Sequence, residues 1–536
     1  MIPNLVAGAG VAAARVVAAA PVDAIAPPHI DLRAVLPVLI VLGGACVSVL
    51  VEAVLGKQLR YGAQLVVSIG SIVGAGVFTV WGGIDKHYAV TFAGAIAVDS
   101  ATYATWGVLL VLALTCVLLM ADRVAEPGGA FSSQASVRVG SARDRAAVAT
   151  ATPMQTEFFP LPLFAVGGML VFSAASDLLT LFVALEVLSL PLYMLCGLAR
   201  RRRLISQEAA VKYFLLGAFT SAILLYGIAL LYGYAGGIGF ADIAAAARAG
   251  SGSDTLLLVG MALLIVGLLF KGSVGPFHLW TPDVYQGAPT PVTAFMASCT
   301  KVAAFAAMLR IMMVALEPMV WTWRPVLWVV AIASMAIGAI LGITQTDFKR
   351  MLAYSSIAHA GFLILGVMAV SQRGASGTLF YLLTYGLATI GAFAILTLVR
   401  KGDGEASQMS DWAGLAKRSP ILAAVMSLFL LSFAGIPLTS GFIGKLSVFT
   451  AASSAGMVPL VVIAMIATAI TAFFYLRIIV LMYFSDPKPG DNAPFVALPG
   501  GLTALVIAGC AVATVVLGVI PSWGLNLLNV TVPFLS

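Results

Sequence analysis

Charged residues are scarce in this chain, and their scarcity excludes an ordinary soluble protein. Lys, Arg, Asp and Glu together make up 10% of the 536 residues, whereas the hydrophobic residue types reach 61%. A soluble globular protein is about a quarter charged. Apolar runs of about 20 residues recur along the chain, and each is long enough for one helical crossing of a bilayer. The pattern predicts an all-α polytopic membrane protein, since a membrane β-barrel would show short alternating segments instead.

Cysteine motifs and nucleotide-binding motifs are also lacking. The cysteines lie far apart within apolar runs and form no CxxC or Cys/His pattern, so iron–sulfur, haem or zinc ligation is not predicted. No phosphate-binding glycine loop or dinucleotide fingerprint stands at a strand–turn–helix position. The net charge of +7 is spread over short loops, which argues against nucleic-acid binding. We therefore expect no cofactor in this chain, and in any redox reaction another subunit carries the electrons. The five cysteines are Cys46, Cys116, Cys196, Cys299 and Cys510.

The apolar runs predict about fourteen membrane helices. An N-terminal extension (1–30) lacks the leading positive charge of a signal peptide, and three helices with a polar loop follow (31–159). Two groups of five helices come next (160–317 and 318–485), and one last helix precedes the C-terminus (486–536). The predicted helices lie near 33–54, 63–82, 103–122, 160–177, 178–199, 207–234, 254–285, 290–316, 325–345, 350–370, 376–400, 419–450, 457–484 and 499–520.

The lysines and arginines of the connecting segments predict the orientation of the chain, because cytoplasmic loops carry the excess of positive residues. Most of these residues fall on one side of the predicted bundle. The distribution places both termini on the outer side of the membrane and supports an even number of helices. The residues on the poorer side are Arg15, Arg33, Lys86, Arg248, Arg324 and Arg373.

Two predicted helices are too long for one straight crossing. The first, 254–285, is interrupted at Gly275-Pro276, and the second, 419–450, is interrupted around Pro437. They are helices seven and twelve, at the fourth place of each five-helix group. Paired interruptions at corresponding positions are typical of inverted repeats with an ion site at mid-membrane depth. The alternative is that each proline merely kinks its helix.

Ionisable side chains inside the predicted spans are candidate site residues. Each mid-helix charge opposes insertion by about 2.5–3.5 kcal/mol, so several of them oppose it by on the order of 10 kcal/mol, comparable to the stability of a whole domain. Desolvation disfavours a charged lysine and a nearby carboxylate favours it. A Glu–Lys pair whose separation changes is therefore a proton switch. The predicted proton relay comprises Glu186, Lys212, Lys271, Lys301, Lys445, His278 and His359.

Several of the buried ionisable residues have competing structural interpretations. Lys212 lies near the start of its helix, on the basic side, and its long side chain could reach the interface. The side chains of Arg310 and Arg477 are expected either to reach the interface in the same way or to stabilise the fold. His278 could donate a hydrogen bond to carbonyls freed by the first interruption, and His359 could serve only as a polar packing residue.

Taken together, the residues from about 160 to 485 resemble the antiporter-like membrane subunits of respiratory complex I. The stretch "HLWTPDVYQGAP" is typical of the N-type subunits, whereas the L- and M-type subunits and the multisubunit sodium/proton antiporters continue differently after Pro-Asp. Lys445 also matches the N-type, since the M-type carries glutamate there. The matching stretches are "EVLSLPLY" (186–193), "EAAVKYFLLGA" (208–218), "PFHLWTPDVYQGAPTPV" (276–292), "DFKRMLAYSSIAHAGF" (347–362) and "GIPLTSGFIGK" (435–445).

The resemblance implies a function and partners. It implies that quinone reduction elsewhere in the complex drives proton transfer here, and that NADH, FMN, iron–sulfur clusters and quinone lie in partner subunits. The expected partners are other membrane-arm subunits and the lipid bilayer. Two alternatives remain, a subunit of a multisubunit cation/proton antiporter and a structural membrane-arm subunit whose lysines are conformational ties. The implied roles are a Glu186–Lys271 pair, a central relay lysine at Lys301, an exit lysine at Lys445, and polar axis positions at Lys212 and His359.

Overall fold

The structure is a computed structural model that describes residues 30–125, 129–131, 141–142, 155–250, 252–402, 404–486 and 493–535. Nearly all of the N-terminal extension and most of the polar loop at 123–158 lie outside these ranges. Five of the basic residues counted for the orientation lie outside them as well, and these are Arg15, Arg138, Arg143, Arg145 and Lys488.

The described residues are mainly helical, as predicted. Twelve of their helices are long and apolar enough to cross a membrane, and two shorter apolar helices, α4 and α15, accompany them. In chain order the helices are α1 Leu32–Val54, α2 Lys57–Ile84, α3 Ser100–Ala121, α4 Pro160–Ala174, α5 Leu178–Cys196, α6 Arg203–Ala235, α7 Phe240–Ala249, α8 Asp254–Lys271, α9 Trp280–Gly287, α10 Thr290–Met313, α11 Val320–Thr344, α12 Phe348–Met368, α13 Gln372–Leu398, α14 Leu415–Arg418, α15 Pro420–Ala434, α16 Ser440–Ser454, α17 Val458–Phe484, α18 Gly501–Val519 and α19 Pro521–Leu527.

Both predicted interruptions are present. We call residues 272–279, between α8 and α9, break one, and residues 435–439, between α15 and α16, break two. In each five-helix group the third helix packs on both halves of the interrupted helix, α6 on α8 and α9, and α13 on α15 and α16. The total of fourteen crossings and the inverted relation of the two groups stay predictions.

Helix starts are marked by aspartates whose carboxylates accept backbone amides of the first turn, which otherwise lack partners. Asp99 accepts the amide of Thr102 at 2.8 Å at the start of α3, and Asp177 accepts the amide of Thr180 at 2.7 Å at the start of α5. Asp347 does the same at the start of α12. These acidic residues are therefore explained by helix capping.

Two small β-sheets in the connecting segments were not predicted. The first is a hairpin in which Ala89 pairs with Val98, and the second joins the end of α13 to the segment before α18, with Arg400 opposite both Glu405 and Phe495. Such short strands have no apolar period to mark them in the sequence. The strands are β1 Ala89–Thr91, β2 Ile96–Val98, β3 Val399–Lys401, β4 Gly404–Glu405 and β5 Phe495–Val496.

Three helices form the centre of the bundle. Nearly all residues of α10, α12 and α13 are buried, whereas only about a third of the residues of α2, α6 and α17 are. Large side chains such as Phe219 on α6 and Phe473 on α17 are more than half exposed. A surface with this much contiguous apolar area belongs against lipid or another subunit. The central helices α10, α12 and α13 carry the polar residues described next.

Candidate functional site

Break one is held by the second five-helix group. The Gly275 amide donates to Ser334 Oγ on α11 at 3.0 Å, and Ser334 Oγ donates to the Ile357 carbonyl on α12 at 2.8 Å. A Cβ atom on Gly275 would stand 3.0 Å from Ser334 Cα, so glycine allows this close approach. The Ser334 hydroxyl thus links the backbone of break one to that of α12.

Lys271 ends α8 immediately before break one. Its Nζ donates to Ser189 Oγ on α5 at 2.8 Å and to the Tyr213 hydroxyl on α6 at 3.3 Å. The side chain is 5% exposed. Its acceptors among the described residues are therefore neutral hydroxyl groups.

The predicted Glu186–Lys271 pair is open in this structure. Glu186 lies one helical turn before Ser189 on α5, and its buried Oε1 has no hydrogen-bond partner. Within the described ranges Lys271 forms no ion pair with it. A small cavity of about 10 Å³, about the size of one water site, adjoins Lys271, and Ser189, Thr220 and Ser221 line part of it. Polar groups in a cavity of this kind can bind water.

Lys301 lies at the centre of the bundle, directly after a π-helical turn of α10 (Met296–Thr300). Such turns are frequently found at functional sites. The Lys301 Nζ donates to the Ser356 carbonyl at 2.6 Å and to Ser356 Oγ at 2.7 Å. Ser356 and Ile357 are consecutive on α12, so two adjacent carbonyls of one helix accept bonds from Lys301 and from Ser334.

His359 continues this row one helical turn after Ser356. Its Nδ1 lies 2.6 Å from the Tyr381 hydroxyl on α13, and its Nε2 lies 3.2 Å from the Tyr475 hydroxyl on α17. The Tyr475 hydroxyl also contacts Ser355 Oγ. In a neutral imidazole one ring nitrogen donates and the other accepts, so His359 joins two hydroxyl groups from different helices.

Break two is held by its own two half-helices. The Gly441 amide of α16 donates to Ser432 Oγ of α15 at 3.1 Å. Lys445 of α16 donates from Nζ to the Phe433 carbonyl at 2.9 Å and to the Ala434 carbonyl at 3.1 Å. The end of a helix carries a partial negative charge on its free carbonyls. Lys445 therefore caps the C-terminal end of α15 across the break.

The structure thus brings three predicted residues into one row, Lys301, His359 and Lys445. The His359 ring lies 6.0 Å from the Phe433 ring, whose backbone carbonyl binds Lys445. Lys271 stands apart from this row. Beside it, a Cβ on Gly272 would stand 3.4 Å from the apolar ring of Phe305 on α10, and in the described residues no direct polar contact joins Lys271 to Lys301.

Lys212 and His278 lie outside the buried row. Lys212 is 43% exposed, and its Nζ is 2.7 Å from both Asp283 and Glu208. Asp283, in the first turn of α9, lies between Lys212 and Arg350, whose NH1 is also 2.7 Å away. His278 is buried, and its Nδ1 has no partner in the part of the chain that the structure describes.

The two arginines have the expected structural roles, by different means. Arg310 does not reach the interface, since it is 1% exposed and pairs with Asp99 at 3.0 Å. It also donates to the Leu535 carbonyl at 3.1 Å, which ties the C-terminal tail to α10. Arg477 is exposed and donates to the Ile343 carbonyl at 3.3 Å.

Glu405, which lies outside the membrane-spanning segments, forms a partly buried ion pair that connects the two groups. Glu405 Oε2 lies 3.2 Å from Lys349 Nζ and accepts from Thr290 Oγ1 at 2.5 Å. Burial by itself raises the pKa of Glu405, but the Lys349 ammonium and the Thr290 hydroxyl together outweigh it and lower the pKa below its ordinary value. Lys349 also donates to the Ala288 carbonyl, between α9 and α10.

Sequence reasoning missed the neutral partners of the lysines and of His359. These residues are common in apolar spans, and their positions become informative only when a lysine from a distant helix points at them. Tyr213 stands beside Lys212 in a quoted stretch, and Ser356 stands near His359, but neither neighbour predicts the contact. The missed residues are Ser189, Tyr213, Ser334, Ser356, Tyr381 and Tyr475.

A bundle with two interrupted helices and buried lysines in its centre has the architecture of an antiporter-like membrane subunit. The family "NADH:quinone oxidoreductase/Mrp antiporter, TM" matches residues 175–471, more than half of the chain. The chain is 56% identical over 505 residues to NADH-quinone oxidoreductase subunit N of Saccharopolyspora erythraea, covering 94% of this chain and 98% of that one. It is 51% identical over 521 residues to subunit N of Mycobacterium tuberculosis, covering 93% and 97%.

The chain therefore belongs to the family of NADH-quinone oxidoreductase subunit N, and the predicted resemblance is confirmed. A chain of respiratory complex I from Thermus thermophilus with bound Aureothin has the same fold, with a TM-score of 0.73 and 32% identity over 91% of this chain and 98% of that chain. A chain of the Mrp complex from a Dietzia species is 23% identical, with a TM-score of 0.76 over 94% and 97%. The second likeness concerns the fold alone.

Proposed function

We propose that this chain translocates protons as a membrane-arm subunit of an NADH:quinone oxidoreductase. Quinone reduction in partner subunits, which hold NADH, FMN, iron–sulfur clusters and quinone, supplies the free energy. The chain contributes the proton path and no redox centre. The names of its relatives support the assembly, and the buried lysines support the path.

The observation that carries the proposal is the environment of the three buried lysines. Lys271, Lys301 and Lys445 are each at most 5% exposed, and among the described residues their Nζ atoms bind only hydroxyl groups and backbone carbonyls. Burial disfavours the charged amine while these acceptors favour it. Because no carboxylate holds the proton in place, each amine can gain or lose a proton as its surroundings change.

The relay runs from Glu186 and Lys271 through Lys301 to Lys445. Closing the open Glu186–Lys271 pair holds a proton on the lysine, and opening it favours release. From Lys301 the proton passes by the Ser356 hydroxyl, His359 and its tyrosine partners, with bound water completing the path. A change of one pKa unit corresponds to about 1.4 kcal/mol, and moving one charge across a membrane potential of about 100 mV takes about 2.3 kcal/mol. Changes of a few pKa units in the lysines are therefore large enough to drive a proton against the membrane potential.

Two further residues, His278 and Lys212, complete the relay. The buried, unpartnered Nδ1 of His278 suits a water-linked position beside break one. Lys212, with its two carboxylate partners, suits the aqueous end of the path. We also propose that the two five-helix groups, 160–317 and 318–485, are inverted repeats, and that both termini lie on the outer side of a bacterial cell membrane.

The direct test replaces Lys301 or Lys445 by alanine in the complete complex. Proton uptake by inverted membrane vesicles on addition of NADH is expected to fall by about tenfold or more, the usual effect of removing a proton-transfer group. Assembly should be preserved, as judged by flavin and iron–sulfur content. The exposed Arg477→Ala variant is the control. Normal pumping in both lysine variants would overturn the relay.

A cation/proton antiporter subunit is the second candidate, because the fold is shared with a chain of the Mrp complex. This function would appear as sodium-dependent proton exchange in vesicles that contain the chain but receive no NADH. Co-purification of a tagged chain with flavin- and iron–sulfur-containing partners would favour the first function instead.

A further inference from the structure

A second cavity lies at the end of α11, away from the relay residues. It has a volume of about 580 Å³ and opens outward, between the first turns of α11 and the turn that joins α16 to α17. Its walls are mainly apolar and aromatic, and they include Trp321, Trp328, Ile332 and Met457. Arg324 is the charged residue among its lining residues.

Arg324 has no protein counter-charge in the described residues. Its Nε is covered and has no hydrogen-bond partner, and no ion pair involves its guanidinium. Glu317, in the turn before α11, is already paired with Arg248 at 3.0 Å. A guanidinium has five donors and stays charged at any physiological pH. This partly buried arginine, set among apolar walls, is therefore available to bind an anion from outside the chain.

The position of the cavity indicates where that anion comes from. Helix α11 begins at Val320, so Arg324 lies within about one turn of the end of a membrane span. Trp321 is 81% exposed beside it, and tryptophans at the ends of membrane helices lie at the depth of the lipid headgroups. Phosphate groups are present at that depth, next to acyl chains.

We propose that this cavity binds a glycerophospholipid. The phosphate accepts hydrogen bonds from Arg324, since arginine and phosphate form strong, often bidentate pairs. One acyl chain lies along Trp328, Ile332 and Met457. The lipid would bridge α11 to the turn between α16 and α17, at the far end of the helix that carries Lys445.

The test uses the assembled complex in nanodiscs of phosphatidylcholine and phosphatidylglycerol, with a trace of a phospholipid that carries a photoactivatable diazirine on its acyl chain. After irradiation, mass spectrometry should find the label on peptides that contain Trp321 to Ile332 and Ala455 to Met457. Arg324→Gln should reduce this labelling by roughly tenfold, the loss of one charged hydrogen bond. Arg373→Gln, an exposed arginine near the start of α13, is the matched control and should leave it unchanged.

Trp328→Ala provides a second variant, which keeps the charge but removes the apolar wall, and it should also reduce the labelling. Equal labelling in Arg324→Gln and the native complex would overturn the proposal. Loss of labelling on addition of inorganic phosphate would assign the site to a free anion instead. A cross-link from the cavity to a neighbouring subunit in the native complex, in place of the lipid label, would also overturn it.

Discussion

A glycine amide in break one and another just after break two each donate to a serine hydroxyl, but the serines belong to different parts of the molecule. At break one the acceptor is Ser334, from the second five-helix group, and at break two it is Ser432, from the helix that has just ended. The lysines differ as well. Lys271 binds side-chain hydroxyls of α5 and α6, whereas Lys445 binds the last carbonyls of its own partner half-helix.

The difference separates two ways to stabilise an interrupted helix. Break one depends on tertiary partners, since Ser334 holds its glycine and Arg350 holds Asp283 on the following α9. Through Ser334, a movement there would be passed to α12, which carries the acceptor of Lys301. Break two is locally closed, because its lysine is also its helix cap. Proton loss from Lys445 would therefore weaken the cap and loosen the break itself.

The largest effects are expected from the lysines, and they differ between the breaks. Lys271→Ala and Lys445→Ala should each reduce NADH-driven proton pumping by about tenfold or more. Lys445→Arg keeps a donor for the carbonyls of Phe433 and Ala434 but does not release a proton. The Lys445→Arg complex should therefore pump as poorly as the Lys445→Ala complex. It should melt at a higher temperature than the Lys445→Ala complex, because the helix cap is kept.

At break one, replacing Lys271 by arginine should not raise the melting temperature above that of the alanine variant. Among the described residues Lys271 binds hydroxyl groups and no free carbonyl of a helix end. Neither variant therefore changes a helix cap, and Lys271→Arg and Lys271→Ala should melt alike. Thermal melting of the purified complexes, measured beside vesicle proton uptake, provides the comparison. Normal pumping in Lys445→Arg would mean that the lysine is a cap and not a carrier.

The serine variants are expected to have the next largest effect. Ser334→Ala leaves the buried Gly275 amide without an acceptor, at a cost of about 1–3 kcal/mol, and removes the link to α12. Pumping should fall several-fold, and the pH profile of pumping should shift because the acceptor of Lys301 is adjacent. Ser432→Ala should lower pumping less than Ser334→Ala does, and it should leave the pH profile of pumping unchanged.

Ser427→Ala is the control for both serine variants, because this buried hydroxyl bonds only within its own helix, to the Ala423 carbonyl at 2.8 Å. It should pump normally. If Ser334→Ala and Ser432→Ala instead gave equal losses with unchanged pH profiles, the proposed link between break one and α12 would be wrong.

A smaller effect is expected from the ring that flanks each lysine. Tyr213→Phe removes one hydrogen bond to Lys271, worth about 1 kcal/mol, and Phe362→Leu removes the aromatic face 5.1 Å from the Lys445 Nζ, worth about 0.5–2 kcal/mol. Each should change the pumping rate by a few-fold in vesicle assays. No change with Tyr213→Phe would show that Ser189 alone suffices as the acceptor.

The smallest effect concerns Glu405, which ties the segment after α9 to α12 through Lys349. Its lowered pKa means that the carboxylate stabilises the fold at pH values above about 4.3, the ordinary pKa of glutamate, and that this contribution is lost as the pH falls through the lower folded-state value. Glu405→Gln should therefore lower the melting temperature of the complex near neutral pH. The difference from the native complex should vanish at acid pH, and a pH-independent difference would contradict the assignment.

Much of the fold could be predicted because a bilayer imposes simple rules on a chain. Backbone groups in lipid must be bonded within helices, so apolar runs located the helices and Gly275-Pro276 and Pro437 located the breaks. Buried lysines stood out for the same reason. The short β-strands and the role of Asp283 as a shared counter-ion could not be predicted, because both depend on loops and helices that meet only after folding.

The central helices give the clearest example of the limits of sequence. Helices α10 and α12 are the two least hydropathic of the twelve long helices, yet they are among the most buried. Their hydropathy is low because they carry Lys301, His359 and several hydroxyl groups, which other helices must cover. A scale of hydrophobicity reports that these residues are polar, but it does not report which helices surround them.

By itself, the sequence determined that the chain crosses a membrane many times, where two helices are interrupted, and that the amines must lie inside. Only the tertiary structure decided which groups accept hydrogen bonds from these amines. Lys301 donates to Ser356 and Lys445 donates to the end of α15, whereas Glu186 and Lys271 do not form a pair. The reason is physical. Hydrophobic exclusion acts on each segment separately, whereas a hydrogen bond requires two atoms from distant segments to meet within about 3 Å.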